Sequence, residues 1–138
     1  MRLEAYIDGS CFGNPGEAGY AVVVLSERGE RLRAVGRYIG KATNNVAEYS
    51  GLLACLDIAA ELGAQSLTVR TDSELMVKQI QGIYKVKTPH LVILHKQARD
   101  RIMAGKMNFL IVHIPREENR EADGLARRAV RLKKEVVG

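Results

Sequence analysis

The chain has 138 residues, 46% of them apolar and 27% charged, which suits one ordered domain with a sizeable core and excludes a disordered or low-complexity polymer. No apolar run approaches the roughly 20 residues of a membrane span; the start Met1-Arg2-Leu3-Glu4 runs straight into a strand, and the cysteines Cys11 and Cys55 are too few for a disulfide framework or a zinc cage, so a cytoplasmic protein with free thiols and no membrane partner is expected. The net charge of +5 is uneven: residues 1–77 carry seven Lys/Arg against ten Asp/Glu, residues 78–106 seven against Asp100 alone, and residues 107–138 seven against five.

In chain order, residues 3–8 read as a strand. Ala18–Leu25 and Arg31–Ile39 read as a hairpin around Ser26-Glu27-Arg28-Gly29-Glu30, with glycine where a left-handed residue is needed. From Asn44 to Leu62 the apolar period becomes helical, and Gly63 sits at a C-cap position. Leu67–Thr71 is a short strand, and a helix follows near Ser73–Gln81. Gly82 and Pro89 bracket a connection. Leu91–Ala104 forms a third helix ending at Gly105, Phe109–Ile114 a fifth strand stopped by Pro115, and Asn119–Val136 a closing helix with Asn119 as its cap. The order βββαβααβα predicts a single α/β domain over 1–138, a five-stranded mixed sheet with helices on both faces.

Four acids fall where these elements begin or stop: Asp8 and Asp72 end strands, while Glu48 and Asp123 lie near helix starts. Such positions converge on one edge of an open sheet. Glu48 heads the stripe Leu52, Cys55, Ala59, at i+4, i+7 and i+11, so it faces the sheet and is partly buried. A buried unpaired carboxylate is costly, and a cation relieves it. Singly, Asp8-Gly9 is also good turn chemistry and Asp72-Ser73 a helix cap. Together, oxygen ligands from four elements without a His/Cys cluster suit Mg²⁺, with Mn²⁺ as a substitute. Two such ions about 4 Å apart activate a water and stabilise a leaving oxygen. Beside this cluster the basic block of residues 78–106 suits a phosphate polymer, although a solvated helix face is the ordinary meaning of any one lysine. The residues thus point to a two-metal phosphodiester hydrolase.

The segments Tyr6-Ile7-Asp8-Gly9-Ser10-Cys11-Phe12-Gly13-Asn14-Pro15-Gly16, Thr43-Asn44-Asn45-Val46-Ala47-Glu48, Thr71-Asp72-Ser73 and Pro115-Arg116-Glu117-Glu118-Asn119-Arg120-Glu121-Ala122-Asp123 closely resemble type 1 ribonuclease H in order and spacing. The resemblance implies the ribonuclease H-like fold, endonucleolytic cleavage of the RNA strand of RNA/DNA hybrids to 5′-phosphate ends, and Asp8, Glu48, Asp72 and Asp123 as ligands of two Mg²⁺ ions. It also implies substrate contacts at the backbone of Gly9, Ser10 and Cys11 and at Asn14, Thr43, Asn44 and Asn45, small or amide-bearing residues that suit recognition of 2′-hydroxyls. For Asn44-Asn45 the alternative is a helix N-cap.

Two features depart from many bacterial members. Their long basic protrusion is replaced by the short Gly82-Ile83-Tyr84-Lys85-Val86-Lys87-Thr88-Pro89, so hybrid affinity is expected either to be lower or to be carried by Lys85, Lys87, Lys96, Arg99 and Arg101. Their loop histidine before the last acid is replaced by Ile114-Pro115-Arg116-Glu117-Glu118. Arg116 is the residue expected to steady the phosphate or leaving group, and His113 is expected on a sheet face. The expected partner is an RNA/DNA hybrid bound by a monomer with no obligate protein partner. The competing readings are a broader nuclease that also cuts double-stranded RNA and a nonenzymatic hybrid-binding module.

Overall fold

The computed structural model describes residues 1–138. Three long strands open the chain: β1 (Arg2–Gly13), β2 (Gly16–Ser26) and β3 (Arg31–Ala42). They form an antiparallel meander with Ile7 opposite Val22 and Val22 opposite Val35. The β2–β3 turn closes through the Gly29 amide on the Ser26 carbonyl at 2.9 Å, with Gly29 at φ +82°, a left-handed conformation that glycine adopts without a Cβ penalty. Helix α1 (Asn44–Glu61) begins where the Thr43 hydroxyl accepts from the Val46 amide, a cap contributing about 1 kcal/mol. Then come β4 (Ser66–Thr71), α2 (Glu74–Ile80), α3 (Pro89–Ala104), β5 (Asn108–His113), a 3₁₀ turn (Arg116–Glu118), α4 (Arg120–Leu132) and β6 (Val136–Val137). The sheet order is β5-β4-β1-β2-β3-β6, with β4 parallel to both β1 and β5.

Alternation along β2 separates two cores. Val22 and Val24 pack with Leu52, Cys55 and Ala59 of α1, with Met76 and Ile80 of α2, and with Leu91 and Ala98 of α3. Ala21 and Val23 pack with Ala122, Leu125, Ala126 and Ala129 of α4. Helices therefore cover both faces, as the sequence pattern predicts. Each fully buried Leu or Ile in the larger core contributes about 2 kcal/mol, and burial explains why α1 forms although its polar and apolar faces are weakly separated. No helix is long and apolar enough to cross a membrane.

Four local expectations need correction. The sheet has six strands rather than five, because the closing helix stops at Leu132 instead of Val136: Lys133 adopts φ +52°, and Val136–Val137 returns to pair with Gly36 and Val35. Val136, 7% exposed, gains burial in the smaller core, which exposed helix could not offer. Asp8 does not end its strand. β1 runs on to Gly13 against β2, and only its parallel pairing with β4 stops, at Tyr6 opposite Arg70. Pro89 opens α3 at its first position rather than closing the loop, where its missing N–H costs nothing. Asn119 stands before α4, but its side chain makes no cap bond.

Candidate active site

Three of the four predicted acids meet. Asp8, Glu48 and Asp72 each offer a carboxylate oxygen within 4.8 Å of the others. Asp8 is presented where β1 loses its parallel neighbour. Asp72 follows β4 in a turn pinned on both sides: the Ser73 amide donates to the Thr71 hydroxyl at 3.1 Å, and the Met76 amide donates to the Ser73 hydroxyl at 3.2 Å. Glu48 projects from the second turn of α1, which can approach β1 closely because residue 9 is glycine. A Cβ there would stand 2.7 Å from the Glu48 amide nitrogen and 2.9 Å from the Ala47 carbonyl carbon.

Asp123 lies outside that tight trio but lines the same pocket of about 280 Å³, with Gly9, Ser10, Cys11, Phe12, Asn44, Arg116 and Arg127. It sits in the first turn of α4, where the helix dipole favours a negative charge. Arg127, one turn on, donates to its Oδ1 at 3.1 Å. In the sequence Phe12 stands out only within the first motif, and Arg127 only at the head of the basic tail 127–134, as a docking helix or a second phosphate contact. The i+4 spacing from Asp123 to Arg127 was the available signal for the arginine.

The electrostatics are unfavourable to a bare cluster. Burial, then the charges of Glu48 and Asp72, then Asp123, push the Asp8 carboxyl up to about 9. Burial, then Asp72, raise Glu48 to about 8, against the partial relief of the Gly9 backbone amide and the Arg116 cation. One Glu48 oxygen, Oε2, is buried without any hydrogen-bond partner. Arg116 does not balance this charge. Arg116 Nε is 3.7 Å from Asp72 Oδ2, with its side chain 81% exposed, and an ion pair that open to water is weak. Convergent hard oxygen donors with an unsatisfied buried oxygen fit a divalent cation such as Mg²⁺.

The predicted substrate residues are spread around this pocket. Gly9, Ser10, Cys11 and Asn44 line it. Asn14 stands beside it and accepts from the Asn44 amide at 3.0 Å. Thr43 caps α1 and Asn45 is exposed on its first turn. Lys85 and Lys87 are exposed on the separate α2–α3 connection. His113 lies at the end of β5, its side chain 43% exposed and Nδ1 3.9 Å from Glu74, and it does not line the carboxylate pocket. A larger cavity of about 1000 Å³ lies between β3 and α1. Its acids Asp57 and Glu61 are bonded to Arg101 and Arg33 rather than converging.

Residues 6–129 match the family described as Reverse transcriptase-like. The chain is 40% identical over 129 residues to Ribonuclease HI of Halobacterium salinarum, covering 94% of this chain and 64% of that protein. It is 43% identical over 132 residues to a bifunctional protein of Mycobacterium tuberculosis, covering 94% of this chain and 36% of that one. It thus spans under two thirds of the length of these curated relatives. Among solved structures, LC11-RNase H1 in complex with an RNA/DNA hybrid superposes with a TM-score of 0.91 at 40% identity, over 96% of this chain and 99% of that chain.

Proposed function

Because the chain belongs to the type 1 ribonuclease H family, we propose that it is an Mg-dependent endonuclease that hydrolyses the RNA strand of RNA/DNA hybrids and leaves 5′-phosphate ends. The observation that carries this reading is the convergence of Asp8, Glu48 and Asp72 within 4.8 Å, with a buried Glu48 oxygen left unpaired. The similarity to a ribonuclease H1 solved with an RNA/DNA hybrid supports the substrate.

Asp8, Glu48, Asp72 and Asp123 are the residues that would hold two Mg²⁺ ions, or Mn²⁺ in their place. Bound dications would supply activation of the attacking water and charge stabilisation at the leaving 3′ oxygen. The protein's own contribution is positional. Gly9 lets α1 approach β1, so that Glu48 reaches Asp8, and Arg127 restrains Asp123 at the rim. The backbone of Gly9–Cys11 and the side chains of Asn14, Thr43, Asn44 and Asn45 flank the pocket as donors and acceptors for the 2′-hydroxyls of one strand and the deoxy backbone of the other. Arg116, exposed beside Asp72, is placed to steady the scissile phosphate; an always-charged guanidinium does not shuttle protons at neutral pH. Lys85 and Lys87 add phosphate contacts, and the protein acts as a cytoplasmic monomer.

The short α2–α3 connection favours a second reading, in which the enzyme also accepts double-stranded RNA. Cleavage of matched hybrid, double-stranded RNA and double-stranded DNA across a Mg²⁺ and Mn²⁺ titration tests both. Hybrid-restricted, metal-dependent cutting that Asp8→Asn abolishes is expected. An Asp8→Asn variant that cuts as fast as wild type would overturn the metal assignment.

A further inference from the structure

Asn119 is 1% exposed and directly precedes α4. An asparagine in that position ordinarily turns its side-chain oxygen onto the first amides of the helix. Here it does not: Oδ1 is buried with no hydrogen-bond partner, and Nδ2 instead donates to the Ile7 carbonyl at 2.8 Å. The cause lies in the sheet. Parallel pairing of β1 with β4 ends at Tyr6, and from Ile7 onward no strand flanks β1 on that side. The Asn119 amide supplies the donor that a strand would have supplied, and so satisfies a buried carbonyl that would otherwise cost free energy. The Asn119 main-chain oxygen also accepts from the Asp123 amide at 3.0 Å. One residue thereby holds the peptide just before Asp8 and the amide of Asp123.

We propose that Asn119 is a positioning residue that sets the separation of the Asp8 and Asp123 carboxylates and, through it, the affinity of the acid cluster for its divalent cation. The proposal rests on the metal-nuclease reading given above. It accounts for a side chain that forgoes its capping bond: the Ile7 carbonyl takes the buried Asn119 donor, whereas the free amides of a helix start can be met by water. Nothing in the role requires Asn119 to touch substrate.

The test compares Asn119→Leu, which keeps the branched shape but removes the donor, with Leu125→Ala, which weakens the same helix through the smaller core away from the pocket. Melting temperature is followed through a Mg²⁺ titration without substrate, and kcat and KM are measured on hybrid below the melting range. Asn119→Leu is expected to need roughly 10- to 100-fold more Mg²⁺ for half of its melting-temperature rise, with kcat reduced at fixed Mg²⁺ and KM little changed. Leu125→Ala should melt lower but keep the wild-type Mg²⁺ midpoint. Equal Mg²⁺ midpoints in Asn119→Leu, Leu125→Ala and wild type would overturn the proposal and leave Asn119 a packing residue. Should Asn119→Leu fail to fold, Asn119→Ser is read in the same way. A wild type that never cuts hybrid sinks the nuclease reading, while the substrate-free titration still decides the role of Asn119.

Discussion

Replacing Asp8 with asparagine should stabilise the metal-free protein while destroying its activity. Asp8 is 4% exposed and shares its pocket with Glu48 and Asp72 inside 4.8 Å. At that separation and an effective dielectric constant near 20, each pair of charges repels by about 3 kcal/mol. Burial disfavours the charged carboxylate and this repulsion adds to it, so the Asp8 carboxyl holds its proton and is pushed from 3.8 up to about 9. A carboxyl whose pKa is raised by folding favours the folded state when protonated. The penalty is therefore absent below about pH 4, grows as the pH climbs toward 9 and levels off above. At pH 7 the interval from 3.8 is about three units, which at about 1.4 kcal/mol each bounds the cost near 4 kcal/mol. Water entering the open pocket reduces it to about 2 kcal/mol. In chelator at pH 8, Asp8→Asn should then melt about 6 °C above wild type. The gap should narrow steadily as the pH falls toward 5. Mg²⁺ should raise the melting temperature of wild type and leave the variant nearly unmoved, since only ligand binding to the folded state shifts the midpoint. Circular dichroism melts over pH 5–9, with and without Mg²⁺, read all of this. A variant that melts no higher than wild type at pH 8, with a difference that ignores pH, would refute the argument that the cluster is strained without its cation.

Three further outcomes are expected. Gly9→Ala places a Cβ 2.7 Å from the Glu48 amide nitrogen, and because backbone cannot step aside cheaply the cost should be about 2 kcal/mol with loss of turnover; melting within 1 °C of wild type and full activity would show that the close approach of α1 is dispensable. Replacing Lys85 and Lys87 with alanine should weaken hybrid binding and lower the slope of log affinity against log salt by about 1 to 2; an unchanged slope rules out their phosphate contacts. Arg116→Ala should lower kcat about 10-fold or more through lost charge stabilisation at the phosphate, with His113→Ala near wild type; the reverse pattern would move the role to His113.

Much of the fold is legible because local chemistry and tertiary structure agree. The β2–β3 hairpin announces itself through alternating apolar residues around Gly29, and α1 through its helical period and Gly63 beyond its end at φ +71°, although the residue that caps it is Thr43 and not Asn44 or Asn45. The stripe Leu52, Cys55, Ala59 is fully buried, so the orientation of Glu48 follows from helical period alone. The errors cluster where pairing partners are distant in sequence. The helical pattern of α4 has no strong stop before Val136, and the return to β3 depends on an edge that only the folded sheet presents.

The sequence by itself determined which residues alternate in strands, where three of the helices lie, and that Asp72 follows a strand while Glu48 and Asp123 stand near helix starts, because these depend on neighbours within a turn or two of chain. Tertiary structure alone decided that Asp8, Glu48 and Asp72 close to within 4.8 Å while Asp123 stays at the rim beside Arg127. It alone turned Asn119 from a helix cap into the partner of Ile7, 112 positions away. Backbone groups left open by a strand that ends must be satisfied by whatever the fold brings near, and no local pattern encodes which residue that will be.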